Sequence, residues 1–108
     1  MAARKRLSIT AAGRRDLGRI YDHIAAESPT KADSQLKPIL THADMLRDFP
    51  IMGHDRSRLD EGLRSIVERP FVVFYYAHDT AIIIARVIHQ RQDIEAALLS
   101  FLKANFEP

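Results

Sequence analysis

The chain contains no cysteine and no tryptophan, only four glycines, and no apolar run of membrane-spanning length. Each shortage closes off a class of function. Without cysteine there is neither a disulfide framework nor a thiolate metal site. The five histidines, at positions 23, 42, 54, 78 and 89, show no paired ligand spacing, so no metal is expected. Gly13, Gly18, Gly53 and Gly62 form no phosphate-cradling loop, and no cofactor is expected either. No Ser–His–Asp arrangement can be argued from the order of residues. Apolar runs such as Ala81 to Ala85 are far too short to cross a bilayer, which argues against a membrane partner. The N-terminal MAARKRLSIT is basic, yet no signal-like apolar stretch follows it, and a cytoplasmic protein is expected.

What is present suits one small domain spanning residues 1–108. The chain has 108 residues, of which 46% are hydrophobic, enough for a modest core. Lys plus Arg is 16 against 14 Asp plus Glu, a net charge of +2. That balance is too mild to argue for direct nucleic-acid binding. Twelve of the sixteen cations are arginine, the side chain best shaped for bidentate pairing with carboxylate or phosphate. A GC-rich genome would produce the same excess.

The apolar spacing predicts a short strand in residues 4–10, where Leu7 and Ile9 alternate with polar neighbours. Thr10 is a candidate N-cap for a helix from Ala11 to about Glu27, with Leu17, Ile20, Tyr21 and Ile24 on one stripe. Ser28–Pro29 breaks it. A second helix is predicted from Thr30 or Lys31 to Asp48, striped by Ala32, Leu36, Ile39, Leu40, Ala43 and Leu46. Pro38 inside it implies either a bend or a later start. Residues 53–61 read as polar and irregular. Three strands follow, Leu63 to Val67, Phe71 to Ala77 and Ala81 to Ile88, the last apolar enough to be buried on both faces. After Asp93, a candidate N-cap, Ile94, Ala97, Leu98 and Phe101 return to helical spacing. The order β-α-α-β-β-β-α describes an α+β fold, with helices on one face of a mostly antiparallel sheet.

The C-terminal half carries a resemblance. VVFYY at 72–76, followed by an apolar strand ending in RVIHQRQD at 86–93, resembles the ParE branch of the ParE/RelE toxin superfamily. That family closes the strand on Arg-Val-x-His-x-x-x-Asp or close variants. Pro50-x-x-Gly53 and Gly62-x-Arg64-Ser65 also fit its pattern. The resemblance implies a RelE/ParE-like fold and a toxin of a type II toxin–antitoxin pair, neutralised by a cognate antitoxin in a hetero-oligomer. ParE-type toxins act on DNA gyrase, and RelE-type relatives cut mRNA on the ribosome. Fold alone does not choose between them.

RNA cleavage through the 2′-hydroxyl needs a base, an acid and cations that stabilise charge. The candidates are His89, Tyr75, Arg64 and Arg86, with Tyr76 and Arg91 beside them. Adjacent Tyr75 and Tyr76 must point to opposite faces of a strand, so at most one joins any site. Few residues then remain for an acid–base set, which favours a non-catalytic gyrase inhibitor that meets nucleic acid only indirectly. His89 reads as a strand-end anchor fixed by Asp93. Arg64 and Arg86, placed on neighbouring strands, have two readings: ion pairing with Asp60, Glu61 or Glu68, or contact with antitoxin or gyrase. The expected target- or antitoxin-binding residues are therefore Arg64, Tyr76, Arg86, His89, Arg91 and Asp93.

Overall fold

The computed structural model describes residues 4–92 and 94–106. Strand β1 (Arg6–Ile9) leads into helix α1 (Ala11–Ala25). The Thr10 hydroxyl caps that helix by accepting from the Gly13 amide at 3.0 Å, as its residue type suggests. Helix α2 (Pro29–Met45) starts at a Ser28 cap, whose hydroxyl accepts from the Lys31 amide, with Pro29 in the first turn. It begins earlier and ends sooner than the apolar stripe predicts. The helix runs through Pro38, which is solvent-exposed, so its ring meets water instead of the core. At the C-terminal end the amides of Leu46, Arg47 and Asp48 close back three residues onto Ala43, Asp44 and Met45, a tighter turn than an α-helix makes.

Strands β2 (His54–Asp55), β3 (Leu63–Glu68), β4 (Phe71–Ala77) and β5 (Ala81–His89) complete a five-stranded sheet ordered β1-β5-β4-β3-β2. All pairs are antiparallel except β1 with β5. The segment 53–61, read as irregular, contributes β2: two polar residues opposite Ser65 and Arg64. Two exposed polar residues carry no alternation to detect. Gly62, just before β3, has φ 79°, a backbone region that only glycine enters cheaply.

The sheet is covered on both sides. Ile39 and Ala43 of α2 and Leu46 at its C-cap, with Leu17 and Ile20 of α1, pack against Val73, Tyr75, Ile82, Ile84 and Val87. On the opposite face Leu98 of helix α3 (Ile94–Phe106), flanked by Ile94 and Ala97, packs on Leu63, Val72, Phe74 and Ile88. The helices therefore do not share one face, as the sequence order suggested. Fully buried Phe74 and Ile88 point away from the hairpin and require a second cover, each worth roughly 1.5–3 kcal/mol when buried.

β5 contains an irregularity. Phe74 pairs with Arg86 and Tyr75 with Ile84, so Ala85 has no residue opposite it. β1 pairs with β5 only as far as Ile84, and α1 takes over the edge beyond. The Thr10 amide donates to the Ile84 carbonyl at 3.0 Å, and its hydroxyl donates to the Ala85 carbonyl at 2.7 Å.

Candidate functional site

The edge of β5 past β1 is closed by Asp16, which is only 7% exposed. Its Oδ2 accepts from the Val87 amide at 2.9 Å, supplying the partner that a neighbouring strand would otherwise give. The same carboxylate accepts from Arg86 Nε at 2.6 Å and Nη2 at 2.9 Å, a bidentate pair. Arg86 Nη1 donates onward to the Ala97 carbonyl of α3 at 3.1 Å. One ion pair thus joins α1, β5 and α3. The partner of Arg86 is none of Asp60, Glu61 and Glu68, the acids considered for it. Asp60 accepts from Tyr76, and Glu68 meets His42 Nδ1 at 2.9 Å. Asp16 was absent from the sequence candidates. The signal was available: Asp16 precedes Ile20 and Ile24 by four and eight residues, so it lies in line with an apolar stripe.

His89 ends the same strand. Its Nδ1 accepts from the Arg91 amide at 3.0 Å, its own amide donates to Gln92 Oε1 at 2.9 Å, and its ring meets Phe71 edge-on at 5.6 Å. The ring therefore shapes the turn after β5, where Arg91 is exposed. Asp93, expected to fix that ring, lies outside the described residues. Beside the Asp16–Arg86 bond a cleft of about 240 Å³ is lined by Arg19, His23, Phe71 and His89, among others. A second, of about 270 Å³, lies between Arg15 and Arg19 on one side and Ser100 and Phe101 on the other.

The other end of β4 is built on a phenol. Tyr75 is fully buried; its hydroxyl donates to the Pro50 carbonyl at 2.8 Å and accepts from the Gly53 amide at 2.9 Å. Burial pushes its pKa up. A Cβ on residue 53 would stand 2.5 Å from that hydroxyl, which explains the glycine of Pro50-x-x-Gly53. Arg64 Nη1 donates to the Gly53 carbonyl at 2.9 Å and to the Ile51 carbonyl at 3.3 Å, holding the same loop from β3. Phe49, Ile51 and Met52 are exposed around it. Tyr76 faces the other way, as strand alternation requires, and packs near Leu63 and Phe74. Its hydroxyl donates to Asp60 Oδ2 and its ring stacks on His78 at 6.4 Å. Burial, then the Asp60 contact, push this phenol well above the usual tyrosine range.

The candidates do not converge. Arg64 and Arg86 are not on neighbouring strands, because β4 lies between β3 and β5. His89 pairs with Phe71, four residues before Tyr75, which separates the two along the sheet by roughly 13 Å. Arg64 lies opposite Tyr75 and His89 lies at the far end, while Arg86, opposite Phe74, is level with the middle of β4 but on the other face of the sheet from Tyr75. Among the described residues no group of three His, Asp or Glu side chains is placed to hold a metal, and no helix is long and apolar enough to cross a membrane.

Comparison with known proteins fits this architecture. Residues 7–94 match the family model described as ParE toxin of type II toxin-antitoxin system, parDE. Toxin ParE3 of Caulobacter vibrioides is 32% identical over 84 residues, covering 77% of this chain and 84% of that protein. A solved chain from the chromosomal ParDE TA system of P. aeruginosa superposes with a TM-score of 0.67 at 27% identity, covering 79% of this chain and 95% of that one. With the family model spanning β1 to the end of β5, this chain belongs to the ParE toxin family of type II toxin–antitoxin systems.

Proposed function

We propose that this toxin acts in the cytoplasm by binding DNA gyrase, not by cutting RNA, and that a cognate antitoxin neutralises it by covering its recognition surface. The observation that supports binding over cutting is the engagement of the four nuclease candidates. Tyr75 and Arg64 hold the Pro50–Gly53 loop, Arg86 is committed to Asp16 and Ala97, and the His89 ring accepts a backbone amide. A general acid–base pair needs groups within hydrogen-bond reach of one substrate atom. These groups are divided along the sheet, His89 from Tyr75, and between its two faces, Arg86 from Tyr75. In this reading Arg91 and the accessible parts of Tyr76 and His89 touch a partner directly, with Asp93 beside them in sequence. Arg64 and Arg86 act through the backbone they hold.

The decisive experiment is a supercoiling assay with purified gyrase. Loss of supercoiling with rising toxin is expected, and unaltered supercoiling at saturating toxin overturns the proposal. A translating extract supplies the converse check. Cut transcripts that disappear in a His89→Ala variant would establish the ribonuclease reading instead.

A further inference from the structure

The two clefts beside the Asp16–Arg86 bond share Asp16, Arg19 and Arg86 as walls, so together they form one trough along α1. Arg15 and Arg19 stand four residues apart on α1, both exposed, and neither has an ion pair among the described residues. The only described acid in the trough is Asp16, and its charge is already matched by Arg86. The trough thus carries uncompensated positive charge. One half is also lined by apolar Ile20, Ile24 and Phe71.

We propose that this trough seats an acidic, extended segment of the antitoxin, with carboxylates paired to Arg15 and Arg19 and one apolar side chain in the Ile20–Ile24–Phe71 cleft. The inference rests on the antitoxin partnership proposed above and assigns it a place. Arginine forks match carboxylates bidentately, and complementary charge sets the rate and register of docking. A concave site that combines cations with an apolar wall suits a peptide. A nucleic-acid duplex would meet the two exposed arginines and leave that wall unused, and the net charge of +2 gives it little further attraction.

The test uses the full toxin and, as probe, the purified product of the reading frame adjacent to its gene, titrated by calorimetry at several salt concentrations. Arg15→Glu/Arg19→Glu reverses the charge, and Arg15→Gln/Arg19→Gln removes it without adding repulsion. Arg58→Glu, at an exposed position between β2 and β3, is the control. The Glu pair is expected to weaken binding by roughly tenfold to a hundredfold and the Gln pair less. Both should flatten the salt dependence while the melting temperature and the Arg58→Glu affinity stay unchanged. Unchanged affinity in both double variants, with the wild type bound normally, overturns the proposal and leaves the antitoxin reading standing. A wild-type toxin that neither binds nor is neutralised by this probe overturns that reading and the proposal with it. Loss of binding to a labelled duplex in the double variants, with antitoxin affinity intact, replaces the peptide by nucleic acid and also overturns it.

Discussion

Two fastenings hold irregular chain against this sheet, and they use opposite chemistry. At the β5 edge a carboxylate and a guanidinium, both largely buried, join α1, β5 and α3. At the far end of β4 a neutral phenol and a glycine join the sheet to the loop after α2. Both satisfy backbone groups that would otherwise be left without partners. They differ in what remains when one member is removed. Taking away Asp16 strands a charge in a place with little water, whereas taking away the Tyr75 hydroxyl leaves only an uncharged amide and carbonyl. Buried ion pairs are weak sources of net stability but severe when halved.

The largest expected effect follows from that asymmetry. Asp16→Ala should cost about 3–5 kcal/mol in chemical denaturation, because Arg86 loses its counter-charge and the Val87 amide loses its acceptor. Adding Arg86→Met to that variant should recover part of the loss. A double variant as unstable as the sum of the singles would show that the pair does not act as a unit. Next comes Gly53→Ala, expected to cost about 1–3 kcal/mol through overpacking, since the new Cβ would press on the Tyr75 hydroxyl. Tyr75→Phe keeps the packing and loses the two hydrogen bonds, for about 1–3 kcal/mol. It should rescue Gly53→Ala only slightly, because the ring Cε1 at 2.6 Å and the Ser65 carbonyl at 2.8 Å still meet the new Cβ, and a full rescue would show that the hydroxyl alone excludes a side chain at 53.

The smallest effect is a pH dependence. Burial raises the pKa of both Tyr75 and Tyr76 in the folded state. A group whose folded pKa lies above its unfolded one stabilises fully below the unfolded value, about 10 for tyrosine, and loses that contribution as pH climbs through the folded value. Denaturation midpoints should therefore fall above pH of about 10. The fall should be shallower in Tyr76→Phe, whose phenol is held by Asp60. An identical alkaline slope in that variant would remove Tyr76 from the account.

Much of this was legible in the sequence because the underlying patterns are local. Thr10 precedes its helix as a cap, Phe71 to Ala77 is bounded as read, and the doubly apolar β5 does need cover on both faces, whereas Ser28, read with Pro29 only as a break, also caps α2. What escaped depends on which segments meet. The sequence places Asp16 on an apolar stripe, but only the early end of β1 reveals that α1 crosses the open edge of β5 and meets Val87 there. Arg86 interrupts an apolar strand in the same way, and each charge explains the other once they are seen together. Pro50-x-x-Gly53 was recognisable as a family pattern. Its cause, a phenol reaching from β4 to within hydrogen-bond distance of the Gly53 amide, is a tertiary contact across 22 residues of sequence. The second apolar face was written in the alternation of β4 and β5, yet which helix would cover it was not.

Ala85 gives β5 a tolerance that the rest of the strand lacks. Ile84 and Val87 are three positions apart but belong to the same side of the sheet, because the chain spends one residue without a partner between them. Removing Ala85 would leave Ile84, Arg86, Val87 and Ile88 in plain alternation, with each side chain still on its present side. Where no bulge absorbs it, a one-residue deletion in a paired strand turns the side chains on one side of the cut to the opposite face, which in β5 would carry them from one core cluster to the other. Length variation among relatives should therefore be accommodated in β5 at this one position. Such a shortened strand would have to replace the Thr10 hydroxyl bond to the Ala85 carbonyl.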